Sequence, residues 1–146
     1  MDDLRDRDRA AIEALLYAYA ERLDAGDFEG VADLFAAATY RSTDGGVFTG
    51  RDELLDVLRA MVVLYDGRPA TQHVTTNVVV EFDGDSADSR ACFTVLQALP
   101  DFPLQTVVAG RYRDRFVREV GVWRFDDRLV SMDLRGDLSR HLHGVS

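Results

Sequence analysis

The chain predicts an α+β fold with its helices first and its sheet second, on three observations. The N-terminal half carries helical periodicity. The half after about residue 70 carries long β-rich runs. The reversals between those runs are short, which is the mark of an antiparallel meander. With 146 residues, the chain is expected to form one domain over 1–146, with 134–146 as a polar C-terminal tail whose end is mobile.

The first helix is expected over 3–25. Ile12, Leu15, Leu16, Tyr19 and Leu23 recur at i, i+3, i+4 and share one apolar stripe. Asp2 and Asp3 precede it and suit the positive end of its dipole. Tyr19 lies on the stripe, whereas Tyr17 points away. Gly26 stops the helix, and Asp27 caps a second helix over 28–37. An extended piece at 38–42, a turn at Asp44-Gly45-Gly46 and Val47-Phe48 follow. Thr49-Gly50-Arg51-Asp52 resembles a capping box and opens a third helix through Tyr65.

Four strands are expected at 71–82, 86–98, 104–119 and 122–133, with reversals at Asp83-Gly84-Asp85, Pro100–Pro103 and Glu119-Val120-Gly121. Alternation places His73, Thr75, Asn77, Val79 and Glu81 on one face of the first of these strands. In the third, Arg111, Arg113 and Arg115 face one side and suit ion pairs or a subunit contact, while Tyr112, Asp114 and Phe116 face the interior. In the fourth, Trp123, Phe125, Asp127 and Leu129 alternate with Arg124, Asp126 and Arg128, which suggests an aromatic core face with the arginines on the other side. Helices covering a strongly bent sheet leave a conical interior with an open mouth, a setting for a small-molecule pocket.

Composition narrows the function. A net charge of −9 argues against nucleic acid, since phosphate binding relies on clustered cations. No apolar run reaches the roughly 18 residues of a membrane span, and the charged N-terminus lacks a signal core, so a cytoplasmic setting is expected. All 17 basic residues are arginine, which removes lysine Schiff-base chemistry. The single cysteine, Cys92, reads as a core residue and excludes an intrachain disulfide. No histidine or cysteine spacing suggests a metal, and there is neither a phosphate loop nor a nucleophile elbow.

Tyr19, Asp24 and His73 are the residues on which a proton-transfer site could be built. Asp24 sits at the negative end of the first helix; it is either a solvated residue before a turn or a buried carboxylate. His73 is either a structural histidine or a proton shuttle oriented by a carboxylate. His141 and His143, in the tail, read as surface residues.

The order of these pieces resembles the SnoaL-like branch of the NTF2-like superfamily, nearest to the scytalone dehydratase and bile-acid dehydratase group. The resemblance rests on Ile12-x-x-Leu15-x-x-x-Tyr19-x-x-x-x-Asp24-x-x-Asp27-Phe28, Leu34-Phe35, Phe48-x-Gly50, His73-x-x-Thr76-Asn77-x-x-Val80 and Gly84-Asp85-x-Ala87. It continues through Gly110-Arg111-Tyr112-x-Asp114 to Trp123-Arg124-Phe125. It implies a cone of three N-terminal helices on a strongly curved, mostly antiparallel sheet, assembled as a homodimer or homotrimer through that sheet.

It also implies a cofactor-independent lyase or isomerase acting on a hydroxylated cyclic or polyketide-like small molecule. His73 would be acid or base, Asp24 its orienting partner and Tyr19 a hydrogen-bond donor. Tyr40, Asn77, Tyr112 and Phe125 are the candidates for substrate contact, and no metal or organic cofactor is implied. The second histidine that scytalone dehydratase uses has no counterpart on the arginine-rich strand. Steroid isomerases place an aspartate on the first strand, where this chain has Thr39-Tyr40-Arg41. An aspartate-arginine-aspartate set of the epoxide hydrolase type finds only a loose match in Asp133 and Arg111. The alternative is a non-catalytic binding or assembly module, such as a ring-hydroxylating dioxygenase β subunit.

Overall fold

In the computed structural model, which describes residues 2–145, three helices and six strands follow one another along the chain. Met1, Ser146 and the side chain of Asp2 lie outside the described residues. The helices are α1 (Asp2–Asp24), α2 (Phe28–Leu34) and α3 (Gly50–Met61). The strands are β1 (Thr39–Ser42), β2 (Val47–Thr49), β3 (Thr71–Asp83), β4 (Ser86–Leu99), β5 (Phe102–Glu119) and β6 (Val122–Arg135). They form one curved, unclosed sheet in the order β2-β1-β6-β5-β4-β3. Of the paired strands, β1 and β6 run parallel and the other neighbours antiparallel. No described helix is long and apolar enough to cross a membrane.

The α1 stripe does what its periodicity demands. Ile12, Leu16, Tyr19 and Leu23 are buried, and Tyr17 is 43% exposed. Gly26, at φ 75°, reverses the chain, and a Cβ there would lie 2.1 Å from the Gly67 carbonyl oxygen, so only glycine fits. Asp27 caps α2 by accepting the Gly30 N–H at 2.9 Å.

The helix ends differ from the pattern. α2 stops at Leu34 and α3 at Met61, not at 37 and 65. Val62 turns extended to bridge Leu142, which ends α3 early. The capping box is half made and shifted by one residue. Glu53, not Asp52, accepts the Thr49 N–H at 2.7 Å, and the Thr49 side chain makes no cap bond.

The inner face of the regular strand β4 is continuous: Ala87, Ser89, Ala91, Phe93, Val95 and Gln97 are all buried. Cys92 falls between two of these positions and is half-buried on the other face, not in the core. Tyr112, Asp114 and Phe116 of β5 point inward as alternation requires, and Arg111, Arg113 and Arg115 point out. Arg111 pairs with Asp133 at 2.7 Å.

β3 and β6 break their alternation. In β3 the register slips between Thr76 and Val79, and Asn77 sits at φ 56° in the resulting bulge. His73 and Thr75 therefore share the inner face with Val80 and Phe82, not with Val79 and Glu81. In β6, Arg115 pairs with Asp127 and Phe116 with Phe125, leaving Asp126 over. Past that bulge the strand turns over. Trp123 and Phe125 remain inside, Asp127 and Leu129 face out, and Arg128 is fully buried.

Candidate functional site

A mostly apolar cavity of about 180 Å³ opens between the sheet and α3. Leu54, Val57, Leu58 and Met61 of α3 supply one wall, and Val95, Val108 and Val130 supply sheet positions opposite. Polar rings also line it: Tyr112, and a row made by Tyr40, Tyr19, His73 and His141. Ring centroids along that row follow one another at steps of 6.3, 6.5 and 6.0 Å. A larger depression of about 500 Å³ is lined by charged sheet residues including Arg41, Arg115 and Asp127. Arg41 is held there by Asp127 at 2.7 Å. The smaller of the two is the candidate site, because its apolar walls meet converging polar groups.

Asp24 reaches His73 by a route that its helical angle hides. As the last residue of α1, it need not turn toward the core; the start of β3 comes to it instead. Its carboxylate accepts the Thr71 hydroxyl at 2.9 Å, the His73 backbone N–H at 2.8 Å and the His73 ring Nδ1 at 2.6 Å. A carboxylate at Nδ1 can only accept, so that nitrogen carries a proton and Nε2 is the acceptor of the neutral tautomer. The His73 side chain is 5% exposed and that of Asp24 20%. The pair is sheltered but remains beside the cavity.

Tyr19 and Tyr40 share a hydrogen bond of 2.8 Å between their hydroxyls. One phenol donates to the other, which leaves the second O–H free for an occupant. Burial pushes the Tyr19 phenol up, against the opposing pull of Arg128, and pushes Tyr40 and Tyr112 well above the usual phenol range. All three are therefore proton donors at neutral pH.

Beneath the tyrosines, Arg128 and Asp114 form a pair with both side chains 0% exposed. Arg128 Nε and Nη2 donate to the two Asp114 oxygens at 2.7 and 3.0 Å. The guanidinium lies 4.3 Å from the Tyr19 ring centre and 3.7 Å from that of Tyr112. Burial works against both charges, but the Asp114 carboxylate keeps Arg128 protonated.

The structure thus brings Tyr19, Asp24 and His73 together, with Tyr40 and Tyr112 in the cavity wall. It does not bring Asn77 or Phe125 there. Asn77 is exposed because the β3 bulge turns it out. Phe125 is 0% exposed and packs 4.5 Å from Phe35 and 4.7 Å from Phe116, below the cavity floor.

Two residues escape the sequence reading. Alternation assigns Arg128 outward because the extra residue in β6 is invisible to it. His141, expected at the surface, is 5% exposed and lines the cavity. His143 is exposed as expected. A signal for His141 exists: Leu138-x-x-His141-Leu142 carries apolar residues at helical spacing, and Leu138 is 1% exposed.

Three helices packed against a curved, open sheet make the fold that NTF2-like proteins share. The chain belongs to the SnoaL-like domain family, whose model matches residues 5–129. Among solved structures it is similar to a single-residue variant of Rv3472, a protein of unknown function from Mycobacterium tuberculosis, at 28% identity and TM-score 0.76. That match covers 90% of this chain and 75% of the other. It is also similar to LinA, at 25% identity and TM-score 0.76, covering 99% and 97% of the two chains. A candidate scytalone dehydratase from Novosphingobium aromaticivorans matches at 23% identity and TM-score 0.76, over 94% and 91%. No curated protein matches the sequence.

Proposed function

We propose that the chain is a small-molecule lyase or isomerase that moves a proton without a cofactor. The observation that carries this reading is the 2.6 Å bond from His73 Nδ1 to Asp24 beside an apolar cavity edged by phenols. The bond leaves Nε2 as the base, and general-base catalysis of this kind contributes about 10²–10⁴-fold. The likeness to a candidate scytalone dehydratase supports the reaction class only through the shared fold.

For a hydroxylated cyclic ketone, His73 Nε2 takes the proton from the carbon next to the carbonyl. The carbonyl oxygen gains negative charge and accepts a hydrogen bond from the free Tyr19 or Tyr40 hydroxyl, stabilising the enolate. The C–O bond at the neighbouring carbon then breaks. The departing hydroxyl takes the proton back from His73 and leaves as water, giving the conjugated enone. Return of the proton to a different carbon, with no bond to oxygen broken, would be the isomerase outcome.

The test is conversion of 3-hydroxycyclohexanone to 2-cyclohexenone, followed by the enone absorbance. The wild-type chain is expected to convert it and His73→Ala to lose at least about 100-fold of that rate. Uptake of the ketone with no enone formed by the wild type would instead assign the cavity to a binding module.

A further inference from the structure

Among the described residues that line the cavity, His141 alone carries a sealed polar side-chain atom with no partner, its Nδ1. The segment that carries it is firmly held. Val63 N–H donates to the His141 carbonyl at 2.9 Å, and His143 N–H donates to the Met61 carbonyl at 2.8 Å. The Arg140 carbonyl accepts the Tyr65 hydroxyl at 2.5 Å and Gln97 Nε2 at 2.9 Å. The backbone around His141 is therefore tied to the end of α3 and to β4, and its ring is fixed over the cavity. A sealed N–H without an acceptor is rarer and costlier than a sealed lone pair. The proton accordingly belongs on Nε2, the nitrogen left to an occupant. Burial also lowers the His141 pKa to about 4, with His73 adding to the effect and Asp24 opposing it, so the ring is a neutral donor at pH 7.

The space limits what that occupant can be. Typical drug-sized ligand pockets are roughly 300–1,000 Å³, and an apolar cavity of roughly 150 Å³ accepts benzene. At about 180 Å³, this one suits a single ring with small substituents better than a fused-ring system.

We infer that His141 is a ligand-binding residue of the cavity, donating through Nε2 to an oxygen on a one-ring molecule whose other polar group meets the Tyr19–Tyr40 hydroxyls. The inference rests on the cavity being the functional site, as in the proposed function, but not on its catalysing a reaction.

The experiment is a calorimetric titration with phenol, resorcinol and 2-naphthol, which are unreactive and carry one hydroxyl, two hydroxyls and a second ring respectively. The wild type is expected to bind resorcinol about 5–10-fold more tightly than phenol, the effect of one hydrogen bond, and 2-naphthol least. His141→Phe should erase the resorcinol preference while leaving phenol unchanged. His141→Gln, which keeps a terminal N–H donor, should retain part of it. Equal weakening of both ligands in His141→Phe, an unchanged preference, tighter binding of 2-naphthol, or no binding to the wild type at millimolar concentration would each overturn the inference. Loss of ketone conversion with the resorcinol preference intact would overturn the catalytic reading instead, leaving this one standing.

Discussion

The cavity is built over two aspartate-anchored pairs of opposite design. Asp114–Arg128 is bidentate and completely enclosed, with rings stacked on its cation. Asp24–His73 is held by a single ring bond, and its imidazole lies in the cavity wall. An arginine never gives up its proton in a protein, so the first pair takes no part in proton exchange and acts on the site only by packing and by the pull of its cation on the Tyr19 phenol. A histidine can, and fixing one nitrogen leaves the other for exchange with an occupant. The same acid, given different partners and different access, holds structure in one place and, under the proposed function, positions a base in the other.

Breaking the enclosed pair should have the largest effect on stability. Arg128→Met leaves a buried carboxylate unpaired and is expected to cost about 3–5 kcal/mol, measured by urea unfolding. A loss below about 1 kcal/mol, outside the range for a broken buried pair, would show that the pair does not hold the tyrosine floor. Breaking the open pair should do the reverse. His73→Ala is expected to lose about 10²–10⁴ in rate for about 1 kcal/mol or less of stability, because Asp24 keeps its bonds to Thr71 and the His73 backbone.

His141 extends the comparison to pH. Its folded pKa, about 4, lies below the ordinary 6.5. The unfolded chain therefore takes up a proton that the folded one refuses, and stability falls as pH drops from about 6.5 to about 4 and levels off below. The contribution is about 3 kcal/mol across that window. His141→Gln should remove this part of the slope; an unchanged slope would mean that the ring is charged or solvated in the folded state. The smallest effect is expected at Tyr40→Phe. It removes the 2.8 Å bond to Tyr19 and should cost about 1 kcal/mol, with about a 5–10-fold loss of rate, the effect of one hydrogen bond while Tyr19 remains as donor.

How much of this is legible in the sequence follows from what each feature depends on. The α1 stripe and the inward Tyr112, Asp114 and Phe116 depend on local periodicity, and the sequence shows both. Tyr19, Asp24 and His73 are legible as a set only through their spacing along the family pattern. The Asp24 angle becomes understandable once β3 is seen to start beside the end of α1. The bulges at Asn77 and Asp126 are not legible, since one extra residue in a strand leaves no compositional trace. Each reverses the faces beyond it, moving Asn77 out and Arg128 in. Asn77 carries a faint hint, because asparagine tolerates positive φ better than most residues. The burial of His141 depends on contacts of its segment with Met61, Val63 and Gln97, all far away in sequence.

Proton transfer by the Asp24–His73 pair is tested most directly by proton NMR of cyclohexanone in D2O, following loss of the signal of the hydrogens on the carbons beside the carbonyl. The wild-type chain should catalyse that exchange, with both His73→Ala and Asp24→Asn slower by about 100-fold or more while remaining folded. Exchange at the wild-type rate in folded His73→Ala would contradict proton transfer by the pair and leave His73 a structural histidine.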